Sequence, residues 1–241
     1  MGIVVSGLDL PSIGPSAGQP VNPAGYDRLQ SQVIPGYGSL ARLAVALLSC
    51  SPEAGSSAAE VLVAGCGTGA ELLEAVAQRP DWRLTALDPS AEMLAESQQR
   101  LGSAPISWQQ STVEELLNEP GVEGRFSGAL SVLVLQSLPD DGSKLAFLTA
   151  LARCLKPGAQ LVLVDLMRSG LVSLEPQLDA SWLAFQAASG LDASAALGAT
   201  QGLHPIGLAR LTSLVNAAGF GDPARIFQAL GFEGFLLQRQ A

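Results

Sequence analysis

The stretch that most constrains this chain is Glu60-Val-Leu-Val-Ala-Gly65-Cys66-Gly67-Thr68-Gly69-Ala70-Glu71, where an apolar β-type run passes directly into a glycine-rich turn and then a helical pattern. Glycine permits the sharp reversal, and the missing Cβ lets the backbone approach a ligand closely. Strand, turn and helix in that order are the first half of a βαβ unit. Further β-type runs lie at 83–87, 106–110, 129–135 and 160–166, alternating with helical patterns at 90–100 and 144–155. A helix at 206–218 and closing strands at 225–230 and 234–238 complete the pattern, and another helix precedes it from Ser39. The expectation is an α/β fold: a seven-stranded, mostly parallel sheet with an antiparallel last strand and helices on both faces.

Asp88 ends the second run, nineteen residues after Gly69. At that separation an acidic side chain in such folds accepts hydrogen bonds from ribose hydroxyls. A dinucleotide site more often shows G-x-G-x-x-G. The tighter G-x-G-x-G turn with an acidic strand end favours S-adenosylmethionine (SAM), although a glycine turn alone can be a mere connection and Asp88 alone a helix cap.

With these residues in view, Val-Ala-Gly65-Cys66-Gly67-Thr68-Gly69 resembles motif I of class I SAM-dependent methyltransferases, and Leu87-Asp88-Pro89-Ser90-Ala-Glu-Met93-Leu94 resembles their second motif. The resemblance implies the Rossmann-like class I methyltransferase fold. It also implies a cofactor site of Gly65, Cys66, Gly67, Thr68 and Gly69 under the methionine part, Asp88 on the ribose, and Pro89 and Met93 beside adenine. Where the family often carries an acidic residue after the third strand, this chain has Gln110-Ser111-Thr112-Val113, which makes Thr112 and Val113 the candidates there. The end of the fourth run, Val134-Leu135-Gln136-Ser137-Leu138-Pro139, resembles the segment between cofactor and substrate, so Leu135 and Gln136 are expected to line the site.

A closer likeness is to the carboxy-SAM synthase branch, through Ile34-Pro35-Gly36-Tyr37 and the ending Ala218-Gly219-Phe220, Phe227 and Gly231-Phe232. It implies Tyr37 beside the cofactor. That branch binds the extra carboxylate of its cofactor with an arginine just before Ala-Gly-Phe; here Leu214 stands in its place and Arg210 lies one helical turn earlier. The loss favours ordinary SAM and methyl transfer.

Composition narrows the acceptor. A net charge of −9 with 13 scattered basic residues argues against a nucleic acid. The 48% hydrophobic content contains no apolar run long enough to span a bilayer, so no membrane partner is expected. Three separated cysteines suggest neither zinc nor a disulfide framework, and the start lacks a secretory pattern, so no metal and a cytoplasmic setting are expected. Residues 1–24, rich in Pro and Gly, read as an irregular arm ahead of one methyltransferase domain at 25–241, whose SAM-binding half is 59–166 and whose closing helix and strands are 206–241.

At 167–205 the alternation stops, and a sparsely charged helical cap insertion is expected over the carboxyl ends of the strands, where open α/β sheets bind ligands. Its Trp182 and Phe185 are substrate candidates, with Tyr26, Gln136 and His204; simple packing is the competing reading for the aromatics. The implied acceptor is a small, largely apolar metabolite, with a homodimer also compatible. Methyl transfer from a sulfonium mainly needs alignment. Where a base is required, His204 leads, then Tyr37 and Asp165. Cys66 has no histidine near it in sequence and reads as packing. The alternatives are a carboxy-SAM synthase-like enzyme, a SAM-binding protein without catalysis, and a NAD-dependent oxidoreductase.

Overall fold

In the computed structural model, the described residues are 23, 25–170, 173–191 and 202–241. The arm expected at 1–24 lies outside them apart from Pro23, as do 171–172 and 192–201 of the expected cap.

Chain order runs α1 (Tyr26–Val33), α2 (Tyr37–Ser49), β1 (Glu60–Ala64), α3 (Ala70–Gln78), β2 (Arg83–Leu87), α4 (Ala91–Leu101), β3 (Ile106–Gln109), α5 (Val113–Leu117), β4 (Phe126–Val132) and a 3-10 turn (Leu135–Ser137). It continues with α6 (Ser143–Cys154), β5 (Leu155–Leu166), α7 (Glu175–Ala188), α8 (Leu208–Ala218), β6 (Ala224–Ala229) and β7 (Phe232–Gln238). The strands form one seven-stranded sheet, ordered β3-β2-β1-β4-β5-β7-β6. Strands β1 to β5 pair in parallel, and β7 runs antiparallel to both β5 and β6, as expected for this fold.

Side chains alternate across a strand, so neighbours in β1 serve different layers. Val61 and Val63 pack with α2, α3 and α4, through residues such as Leu40, Leu48, Leu72 and Leu94. Leu62 and Ala64 pack with α5, α6 and α8, through Leu116, Leu148, Leu151 and Leu211. Both faces of β1 are therefore dry, which is why its sequence reads as an unbroken apolar run. Burying each Leu or Val contributes roughly 1.5–3 kcal/mol. The order reverses between β1 and β4, and at such a switch point the two crossovers diverge and leave a crevice above the strand ends.

Several boundaries differ from the sequence reading. Strand β4 ends at Val132, because Leu133 takes a left-handed φ of 61° and donates its N–H to Val164 O (2.7 Å). The apolar run expected to be strand through Leu135 thus leaves the ladder while Leu133 and Leu135 stay buried. Strand β5 starts five residues earlier than expected. Two helices were not anticipated: α1, and α5, which a capping box opens between Thr112 and Glu115.

Candidate cofactor and acceptor site

Turn and strand end are built as one unit. Gly65 and Cys66 both donate their N–H to Leu87 O (2.9 and 2.8 Å), and Gly69 N–H closes the turn on Cys66 O (2.8 Å). All three glycines have positive φ, but their surroundings differ. A Cβ on Gly65 would lie 2.4 Å from Val134 Cγ2, and one on Gly69 2.4 Å from Ser97 Oγ, whereas a Cβ on Gly67 would meet nothing within 4 Å. The outer glycines permit close packing; the middle one faces open space.

Asp88 joins the turn to β2. Its Oδ2 accepts Gly67 N–H (2.8 Å) and its Oδ1 accepts Ser90 N–H (2.9 Å). Burial raises this carboxyl above the usual range, and the two N–H groups oppose the rise. Each carboxylate oxygen keeps lone-pair capacity for a ribose hydroxyl. An open backbone cradle beside a fixed, partly satisfied carboxylate fits a nucleoside-bearing cofactor.

Across the turn lies α1, and its Asp27 is a hub that sequence reasoning missed. Oδ1 accepts from Thr68 Oγ1 (2.7 Å) and from the Tyr37 hydroxyl (3.1 Å), while Oδ2 accepts from Arg100 (2.7 Å). Arg100 also donates to Thr68 O (2.7 Å), so α1, α2, α4 and the turn meet at one carboxylate. Burial, and then the carboxylates of Glu71 and Asp27, push the Tyr26 and Tyr37 hydroxyls well above the usual phenol range. Tyr37 is thereby a hydrogen-bond donor at neutral pH and a poor base. No spacing motif links Asp27 to Arg100; the one available signal was a lone acid beside Tyr26.

In the turn after β4, Gln136 N–H donates to Asp165 Oδ1 (2.9 Å) and Gln136 Oε1 accepts Leu166 N–H (2.7 Å). Burial pushes Asp165 up to about 7, opposed by the Gln136 N–H and by the charge of Lys144. Lys144, buried on α6 and also missed, donates to Leu135 O; burial lowers it and Asp165 raises it. His204 is exposed, and its backbone N–H donates to Gln136 O (2.7 Å), tying the cap's return to this turn.

The other candidates divide. Cys66 is buried and its thiol is pushed up by burial, which fits packing rather than nucleophilic chemistry. Met93 is buried at the start of α4, Pro89 is exposed, and Leu135 is buried in the turn after β4. Thr112 spends its hydroxyl on capping Glu115 N–H (3.3 Å), and Val113 is buried in the core. Trp182 donates to Val33 O (2.7 Å) and packs edge-on against Phe232, so it pins the cap to α1; Phe185 is half-buried on the same helix. Leu214 is buried, and Arg210 is paired with Asp140 (2.8 Å), so neither supplies the arginine of the carboxy-SAM branch.

Comparison with known proteins agrees with this geometry. Residues 61–158 match the family described as "Methyltransferase domain". A 103-residue stretch is 38% identical to trans-aconitate 2-methyltransferase of Methylobacterium nodulans, covering 43% of this chain and 36% of that protein. Among solved structures, 1,6-didemethyltoxoflavin-N1-methyltransferase of Burkholderia thailandensis, with its substrate and S-adenosylhomocysteine bound, is similar at a TM-score of 0.56 and 21% identity, covering 84% of this chain and 80% of that one. Human N-acetylserotonin methyltransferase in complex with SAM is similar at 0.60 and 16%, covering 91% and 55%. Among the described residues no helix is long and apolar enough to cross a membrane.

Proposed function

We infer that this chain is a class I methyltransferase with SAM as its cofactor, and that it methylates a small, largely apolar metabolite held between the carboxyl ends of β4 and β5 and the α7 cap. The observation that carries this reading is the buried pair Gln136 and Asp165. Among the described residues, Gln136 Nε2 and Asp165 Oδ2 are without hydrogen-bond partners. Unmet donor and acceptor capacity at that depth is costly and calls for a partner, which a bound acceptor would supply. The described cap adds few charges, namely Arg168, Glu175 and Asp179. The names of two similar proteins, which point to trans-aconitate and to 1,6-didemethyltoxoflavin as what those proteins act on, also favour a small acceptor.

When bound, SAM would supply an electrophilic methyl on a sulfonium, for in-line transfer to an acceptor lone pair with S-adenosylhomocysteine as the leaving group. Aligning the partners and excluding water can contribute up to roughly 7–11 kcal/mol. The glycine turn with Asp88 would hold the nucleoside, with Thr68 and Tyr37 on the side of the methionine end and Leu135 between cofactor and acceptor. If the acceptor loses a proton, Asp165 is suited to take it, with a carboxyl lifted to about 7; His204 is the second candidate.

The test is a screen of small hydroxyl, amine and carboxylate acceptors with SAM, followed by S-adenosylhomocysteine release and product mass. A small product that disappears in Asp165→Asn or Gln136→Leu is expected. Methylation of bulk tRNA or protein with no small product would overturn the reading. No turnover with any acceptor class, despite tight SAM binding, would favour a binding protein without catalysis. The carboxy-SAM alternative predicts instead a heavier cofactor after incubation with prephenate, and Leu214 weighs against it.

A further inference from the structure

A groove of about 280 Å³ lies beside the glycine turn, among α1, α2, α3 and α4, bounded by Asp27, Tyr37, Leu40, Glu71, Glu74 and Arg100. Its charged groups are mostly committed. Asp27 and Arg100 hold each other, and Glu74 accepts from Gln78 (2.8 Å) and faces Arg42 (3.5 Å). Glu71 differs. It is 7% exposed, and among the described residues its carboxylate has no salt bridge and no side-chain hydrogen bond, only its own backbone N–H. A buried carboxylate with no ion pair in contact, only the more distant charge of Arg100, is costly, and a structure keeps one where something else completes it.

The surroundings select the missing partner. Two further carboxylates and an Arg100 already engaged by Asp27 and Thr68 O disfavour an anion. One free carboxylate is too few ligands for a metal, and no cluster of three metal-binding side chains occurs among the described residues. An alkylammonium fits: three donors for a carboxylate, the Tyr37 ring for its charge, and apolar walls from Leu40 and Leu73 for its carbon chain.

We propose that this groove is an alkylammonium site whose counter-ion is Glu71. Two sources share that chemistry. One is the α-ammonium of the cofactor's own methionine end, since Glu71 is the second residue beyond Gly69, and Tyr26 and Cys66 each lie in the field of both Glu71 and Asp88. The other is a separate small amine. The proposal rests on the cofactor and not on the acceptor reading, so failure of an acceptor screen leaves it standing.

The experiment is calorimetry at pH 8 on the full chain, comparing wild type, Glu71→Gln and, as a groove control already partnered, Glu74→Gln. The probes are S-adenosylhomocysteine, 5′-methylthioadenosine, which lacks the amino-acid end, and n-butylammonium. If the cofactor is the source, Glu71→Gln weakens S-adenosylhomocysteine about tenfold or more and leaves methylthioadenosine unchanged. If a separate amine is the source, S-adenosylhomocysteine is unaffected, while n-butylammonium binds wild type and not Glu71→Gln. Equal weakening of both nucleosides would overturn the proposal by showing a general disturbance of the turn. So would unchanged nucleoside affinities together with no n-butylammonium binding. Thermal melting of the same samples checks folding, and Glu71→Leu provides a second neutral variant.

Discussion

Asp88 Oδ2 accepts the N–H of Gly67 at 2.8 Å, so the end of the second strand is fastened to the middle of the glycine turn. The same carboxylate accepts Ser90 N–H at the start of α4, which makes it a structural clasp beside its proposed role as the cofactor's ribose partner. Replacing Asp88 by Ala leaves two backbone donors unmet, at about 1–3 kcal/mol of stability. S-adenosylhomocysteine affinity should fall at least about tenfold in the same variant. Urea unfolding and calorimetry measure the two effects separately; unchanged affinity would reduce Asp88 to a clasp.

Asp27 gathers Tyr37, Thr68 and Arg100, and it does so from a short helix with few buried residues. The Arg100 pair is about one-third exposed, so by itself it contributes only about 0.2–1 kcal/mol. The loss in Asp27→Ala is therefore expected to be local: faster amide exchange in 26–33 and faster cofactor release, with a small change in global melting. Hydrogen-exchange mass spectrometry reads this directly. Exchange in α1 as slow as in wild type would mean that Trp182 and Gln32, which bind α1 to the cap, suffice to hold it.

Glu71 also predicts a pH dependence of folding. Burial is the main cause that lifts its carboxyl from 4.5 to about 7, with Asp27 adding and its own N–H and Arg100 subtracting. The unfolded chain releases this proton near the ordinary value and the folded chain only near 7. Between those values the native state binds more protons, so this group's contribution to stability falls as pH rises through that window and is flat above it. Glu71→Gln should melt higher than wild type at pH 8 and converge with it near pH 5. A gap independent of pH would show that Glu71 stays ionised in the folded protein.

The fold was legible where burial and chain geometry speak through local sequence. β1 is dry on both faces and reads as an apolar run, and the turn after it needs glycine, so both are visible without a structure. The same rule misplaced the end of β4, because Leu133 and Leu135 are as apolar as a strand; a left-handed φ at Leu133, not a change in hydrophobicity, ends the ladder. Helix α1 is only eight residues long and mostly polar, and it is held by bonds to partners far along the chain, such as Gln32 to Ser189 O across 157 positions. The hub failed to show for the same reason, since Asp27 and Arg100 are 73 positions apart. Helix α5 was within reach: Thr112 and Glu115 have capping-box spacing.

The three glycines of the turn, alike in sequence, should respond differently to a single methyl group. At Gly65 an added Cβ meets Val134 Cγ2 at 2.4 Å and the φ is 73°, so Gly65→Ala combines overpacking with a left-handed alanine. A loss of about 2–4 kcal/mol and poor folding are expected. Gly67→Ala has a φ of 50° but open space around the new atom, so only the backbone cost of roughly 1–2 kcal/mol applies. That variant should fold and melt as one cooperative unit, yet bind S-adenosylhomocysteine at least about tenfold more weakly, because the methyl would project into the space proposed for the cofactor. Melting curves beside calorimetry for both variants make the comparison. Wild-type affinity in Gly67→Ala would mean that the open space beside Gly67 is not where the cofactor lies.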